Sequence, residues 1–133
     1  MPRYIDASIV VEVLIEGPLA ESCTLILERI QNGTERAITN LFTIAEIHHI
    51  LALREKKTLP KVEEAIEAFL QMKGLSVVSF EPEKIREALR ISTRYDIDFV
   101  DATHKVTMQE MNLGSLYSLD SHFDKFKDIQ RMV

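Results

Sequence analysis

One cysteine, Cys23, serves the whole chain of 133 residues, so a single copy can build neither an internal disulfide nor a cysteine zinc site. A reducing cytoplasm is the expected setting. Glycine and proline number four each, which leaves little room for linkers. The length is that of one domain, and residues 1–133 are read as a single unit. No run of about 18 apolar residues occurs, and no basic start leads into an apolar stretch, so neither a membrane span nor a secretion leader is expected. An excess of basic residues is also missing. The 16 Lys and Arg face 21 Asp and Glu, for a net charge of −5, and any nucleic-acid role then requires a local basic patch. The phosphate-cradling patterns GxGxxG and GxxxxGK[ST] are absent, as are repeats and low-complexity tracts.

What is present is an alternation of short β-like and longer helical patterns. YI ahead of Asp6 reads as a strand, and SIVVEVLIEG as a helix stopped by Gly17-Pro18. LAESCTLILERIQNG is a second helix ending at Asn32-Gly33, and RAITN a short strand. From Thr43, IAEIHHILALREKK has helical spacing, and after Thr58-Leu59-Pro60 so does KVEEAIEAFLQMKG, with proline in its first turn. LSVVSF is a valine-rich strand between Gly74 and Pro82. Two helices follow, EKIREALRISTRY and VDATHKVTMQEMN, and then the strands SLYSL and IQRMV. Such an order predicts an α/β domain with a mostly parallel sheet covered by crossover helices. The methionines and phenylalanines are read as packing residues.

Four carboxylates stand where strands end or helices begin: Asp6, Glu46, Asp101 and Asp120. Each has an ordinary explanation. Thr43 and Glu46 have capping-box spacing, Asp98 is placed to cap the helix that carries Asp101, and Asp6 and Asp120 suit local turns. A parallel sheet brings all four to one edge, where helix N-termini also point. Converging carboxylates call for a hard divalent cation such as Mg²⁺ or Mn²⁺ held by oxygen. The histidines offer no softer alternative. His48 and His49 are adjacent and diverge on a helix, while His104 and His122 have no partner nearby in sequence. All four are read as surface or packing residues, with His122 the one placed to approach a substrate.

The opening strand ending in Asp6-Ala-Ser8, the TIAE segment with Glu46, FVDAT with Asp101 and SLDSHF with Asp120 together resemble the PIN-domain nucleases, particularly the VapC-like toxins of toxin–antitoxin pairs. The likeness covers nearly the whole chain. It implies a five-stranded, mostly parallel sheet flanked by helices and an acidic pocket for Mg²⁺ or Mn²⁺. It further implies hydrolysis of single-stranded RNA to 5′-phosphate and 3′-hydroxyl ends, a homodimer, and a cognate antitoxin.

Carried over by residue, the resemblance makes Asp6, Glu46, Asp101 and Asp120 the catalytic and metal-binding set, some of them through water. Ser8, Ser118 and Asp98 support it. Asp101 is preferred to Asp98 because alanine follows it directly. Serine at 118 stands where threonine is frequent, and keeps the hydroxyl. Arg54, Lys56 and Lys57 form one basic patch for the RNA backbone, and Arg94 and Lys105 another. Two other readings compete: a PIN nuclease of RNA maturation or quality control, and a non-catalytic interaction module whose acids only cap helices. A haloacid-dehalogenase-like phosphatase is set aside, because Asp6-Ala7-Ser8-Ile9 lacks the second aspartate of DxDx[TV].

Overall fold

A computed structural model describes residues 1–133. Its five strands are β1 (Arg3–Ile5), β2 (Ala37–Asn40), β3 (Leu75–Val78), β4 (Ser115–Tyr117) and β5 (Gln130–Met132). Six α-helices connect them: α1 (Ala7–Leu14), α2 (Ala20–Gln31), α3 (Leu41–His49), α4 (Leu59–Leu70), α5 (Ile85–Tyr95) and α6 (Phe99–Glu110). The strand order is β3-β2-β1-β4-β5, and every pairing is parallel. The expected "mostly parallel" sheet is therefore parallel throughout.

Alternation along each strand divides the core into two layers. Ile5, Ala37 and Tyr117 point to the side covered by α1 to α4, where Ile9, Ile26, Ile30, Ile47, Val62 and Phe69 are buried. Their neighbours Tyr4, Ile38 and Leu116 point to the other side, against Ala88 of α5 and Ala102, Val106 and Met108 of α6. Burial of both faces explains why strands of three or four residues suffice: their apolar side chains have partners above and below. No helix is long and apolar enough to cross a membrane.

The scarcity of glycine shows at the helix ends. Gly33, with φ of 82°, follows α2, but Glu16, Lys56, Asp96 and Asn112 take left-handed backbone with φ of 54–56° after other helical segments. Gly74 is needed for another reason: a Cβ there would lie 2.1 Å from the Glu35 carbonyl oxygen.

Helix α3 departs from the expected pattern at both ends. It begins at Leu41, and its cap is Asn40, whose carbonyl accepts from the Phe42 amide at 2.9 Å. The Thr43–Glu46 capping box does not form, because both residues lie inside the helix, and the Thr43 hydroxyl instead sits 2.6 Å from that of Thr39. After His49 the chain widens into one π-helical turn, Ile50–Arg54, rather than continuing as α-helix to the lysines.

Asn40 also ties the layers together. Its amide donates to the hydroxyls of Thr103 (3.3 Å) and Thr107 (3.0 Å) on α6, in a fully buried setting. Asn40→Ala removes a helix cap and leaves buried polar groups unpaired, so it is expected to cost roughly 2–4 kcal/mol. Urea unfolding of the variant checks this, and a loss below about 0.5 kcal/mol would contradict the role.

Candidate metal centre

The C-terminal edge of the sheet carries the acids. The ladders run one residue past β1 and β4, since the Asp6 amide donates to the Tyr117 carbonyl and the Ser118 amide to the Met132 carbonyl, both at 3.2 Å. Asp6 thus leaves β1 fixed at mid-sheet and is 3% exposed. Its Oδ1 accepts from the amide (2.9 Å) and hydroxyl (2.5 Å) of Ser8, and its Oδ2 from the hydroxyl of Ser118 (2.5 Å). Each serine oxygen then accepts from the chain beyond β4: Leu119 N–H to Ser8 and Asp120 N–H to Ser118. Burial pushes the Asp6 carboxyl above its ordinary range, opposed by the serine donors.

Asp101 arrives from the other layer. Asp98 caps α6 by accepting from the Asp101 amide at 2.8 Å, which places Asp101 in the first turn, at the positive end of the helix dipole. The Asp101 side chain is nearly buried, and its Oδ2 has no hydrogen-bond partner. Asp120 follows β4, caps a short 3₁₀ turn (Ser121–Lys125) through the His122 amide, and brings His122 Nδ1 to 3.2 Å from Asp120 and 3.8 Å from Asp101. One donor atom from each of Asp101, Asp120 and His122 lies within 4.8 Å of the others.

Burial, the negative charges of Asp98 and Asp120, and then Glu46 push the Asp101 carboxyl up to about 9. An unpartnered oxygen in a crowd of carboxylates fits a bound cation, which would satisfy the atom and offset the repulsion together. Two acids and an imidazole are a hard, mostly oxygen donor set suited to such an ion.

The four expected acids therefore meet unequally. Asp101 and Asp120 share the cluster. Glu46 lies beside it, raising the Asp101 carboxyl while its Oε1 sits 3.8 Å from His104 Nε2. Asp6 is turned toward Ser8 and Ser118, which donate to its two oxygens. His122 belongs to the acid cluster, and its position two residues after Asp120, inside a turn, was the sequence signal for that.

The basic residues divide as well. Arg54, Lys56, Lys57 and Arg94 are exposed. Lys105 is not a rim cation: it is 4% exposed, its ammonium pairs with Asp128 at 2.7 Å, and it lies over the Phe126 ring. Arg131 of β5 reaches the same edge, a placement with no local signal in the sequence. Its guanidinium forks onto Asp124 at 2.9 and 3.0 Å, donates to the Ser118 carbonyl, and feels the charges of Asp120 and Asp6. Three half-buried phenylalanines complete the surroundings. Phe42, one turn before Glu46, meets Phe80 and Phe99 edge to face at 5.4 and 5.5 Å, and Phe99 shares the first turn of α6 with Asp101.

Because the folded-state Asp101 carboxyl lies above its unfolded value, it stabilises the metal-free protein below about pH 4, and that contribution is lost as pH rises toward 9. Asp101→Asn removes the charge. The variant is expected to be more stable than the parent in chelator at pH 8 by at least about 1.4 kcal/mol, the value of one pKa unit, with the gap closing near pH 4. Thermal unfolding across pH 4–9 measures it. A gap independent of pH would contradict the repulsion.

Comparison with known proteins agrees with this architecture. A family model described as PIN domain matches residues 3–129. Among solved structures, Mycobacterium tuberculosis VapC20, a sarcin-ricin loop cleaving toxin, aligns with a TM-score of 0.75 at 17% identity over 96% of this chain and 98% of that one. VapBC2 from Rickettsia felis, bound to a DNA fragment from the promoter, gives 0.72 at 14% identity over 99% and 98%. PAE2754 from Pyrobaculum aerophilum gives 0.67 at 17% identity over 98% and 89%. No protein of curated function matches the sequence. A match over almost the full length, on a wholly parallel five-stranded sheet flanked by six helices, shows that the chain belongs to the PIN-domain family.

Proposed function

We propose that this PIN domain is an endoribonuclease that hydrolyses phosphodiester bonds of single-stranded RNA with Mg²⁺ or Mn²⁺, as the toxin of a toxin–antitoxin pair. The observation that carries the reading is the unpartnered Asp101 Oδ2 beside Asp120 and His122, at the edge where Asp6 and Glu46 also lie. Asp101 and Asp120 hold the cation, with Asp6 and Glu46 contributing directly or through water. A bound cation supplies Lewis-acid activation of the attacking water and of the phosphoryl oxygens, and relieves the repulsion between enzyme acids and substrate.

The chain's own groups do the remainder. The serine hydroxyls keep Asp6 oriented, and the dipole of α6 favours negative charge at its first turn. Arg131, held in place by Asp124 and the Ser118 carbonyl, keeps a partly exposed positive charge next to the acids, where it would offset their repulsion of the phosphate backbone. Phe42, with Phe80 and Phe99 behind it, gives an unpaired base a ring to stack on close to the scissile bond, an arrangement that suits single strands better than duplex. A partner antitoxin belongs to the same reading, supported by the likeness to VapBC2. An antitoxin arginine set among these carboxylates would neutralise them and block the site. A homodimer is part of this proposal too.

The test is to sequence the ends produced when purified protein cuts single-stranded RNA with Mg²⁺ or Mn²⁺. Asp6→Asn and Asp101→Asn are each expected to lower the rate on the order of a hundredfold or more while remaining folded. Unchanged cleavage by both folded variants would remove the assignment. Phe42→Ala is expected to weaken RNA binding roughly tenfold, the equivalent of about 1.4 kcal/mol of stacking, with a smaller effect on the rate at saturation. Titration of labelled RNA in calcium reads the binding term alone.

A further inference from the structure

His104 is fully buried on α6, one turn after Asp101, and takes no part in the chemistry set out above. Its Nε2 and the Asp101 Oδ2 are the two buried side-chain atoms of the chain that lack a hydrogen-bond partner. Residues at i and i+3 share a helix face, so both orphaned atoms belong to one neighbourhood. The other ring nitrogen is committed: Nδ1 lies 2.6 Å from the Tyr4 hydroxyl, and the rings are tilted against each other at 5.2 Å. Tyr4 is itself fully buried, and its oxygen accepts from the Asn40 amide at 3.2 Å. With that acceptance made, the single hydroxyl proton is available to Nδ1. A neutral imidazole that accepts at Nδ1 carries its hydrogen on Nε2, and the nearest carboxylate oxygen to Nε2 is Glu46 Oε1, at 3.8 Å.

We infer that His104 is a positioning residue: the Tyr4 hydroxyl fixes its tautomer, and its Nε2–H orients the Glu46 carboxylate toward the acid cluster. The assignment deepens the proposed metal-dependent nuclease and rests on that reading for the use of Glu46, although the relay itself is a property of the metal-free chain. The elements explain why such a relay is needed. Glu46 stands in the middle of α3 and is about a quarter exposed, with none of the capping contacts that hold Asp101 and Asp120. Asp6 has two serines; Glu46 has only the buried ring behind it. With Nδ1 held by Tyr4, the Nε2–H faces Glu46 at 3.8 Å, outside hydrogen-bond range in the metal-free chain, and outer residues that steady a metal-site ligand in this way typically cost about 10–100-fold in metal binding when removed.

The first arm of the test is nuclear magnetic resonance of ¹⁵N-histidine-labelled, metal-free protein. One tautomer with hydrogen on Nε2 is expected for His104. Glu46→Gln should move that Nε2–H resonance, and Tyr4→Phe should abolish the single tautomer. Hydrogen on Nδ1, or a resonance indifferent to Glu46→Gln, would overturn the inference. Glu46 is partly exposed, so this variant does not depend on the core tolerating a change. The second arm measures Mn²⁺ affinity by titration calorimetry. His104→Gln keeps an N–H at the Nε2 position and is expected to stay within about threefold of the parent, whereas His104→Asn keeps reach only to Tyr4 and should lose roughly tenfold or more. Equal affinities for the two folded variants would show a packing role only and overturn the proposal. Absence of RNA cleavage with both arms as expected would sink the nuclease reading and leave the relay standing.

Discussion

A carboxylate buried at the middle of the sheet edge constrains everything near it. Asp6 is tolerated there because two serine hydroxyls and one amide donate to it, and each serine oxygen is in turn held by an amide from the chain beyond β4. The clasp makes the ends of β1 and β4 a single object. From it the chain departs in fixed directions: into α1 on one side, and into the turn that carries Asp120 and His122 on the other. Loss of the Ser118 hydroxyl would leave the buried Asp6 Oδ2 without a donor, whereas loss of the Ser8 hydroxyl would still leave Oδ1 the Ser8 amide. The polar edge is therefore part of the packing of the fold, and the acid cluster inherits its rigidity from that clasp.

Across the edge, α6 presents the opposite design. Asp101 is held firmly in backbone terms, through the Asp98 cap, yet its side chain is left without a partner among like charges. One acid is thus fully satisfied and the other deliberately unsatisfied, a few residues from a shared border. The first makes the architecture and the second stores repulsion that a cation relieves. Under the proposed function, stability and metal affinity would be coupled through this carboxyl.

Much of this was legible in the sequence because it is local. Alternation around Tyr4-Ile5, Ala37-Ile38 and Leu116-Tyr117 reports two buried faces, and Asp98 three residues before Asp101 reports a cap, whatever the rest of the chain does. Local spacing also misled. Thr43 and Glu46 have the separation of a capping box, but Asn40 begins the helix three residues earlier because β2 runs directly into α3. The remaining errors are of long range. Tyr4 reaches His104 across 100 residues and Lys105 finds Asp128 across 23, so neither the buried relay nor the loss of a rim cation has any signature in spacing. His104 and Lys105 are neighbours in sequence with opposite fates, decided by which side of α6 each occupies.

The left-handed residues that end the helices carry a consequence beyond geometry. Glu16, Lys56, Asp96 and Asn112 each occupy backbone that L-residues adopt at a cost of roughly 1 kcal/mol, the two long side chains more than the aspartate and asparagine. The sum is a sizeable fraction of the margin by which a domain of this size stays folded. None of the four contributes an atom to the acid cluster. The chain thus holds a thermodynamic reserve at its periphery, which glycine would release without touching the edge where the carboxylates meet.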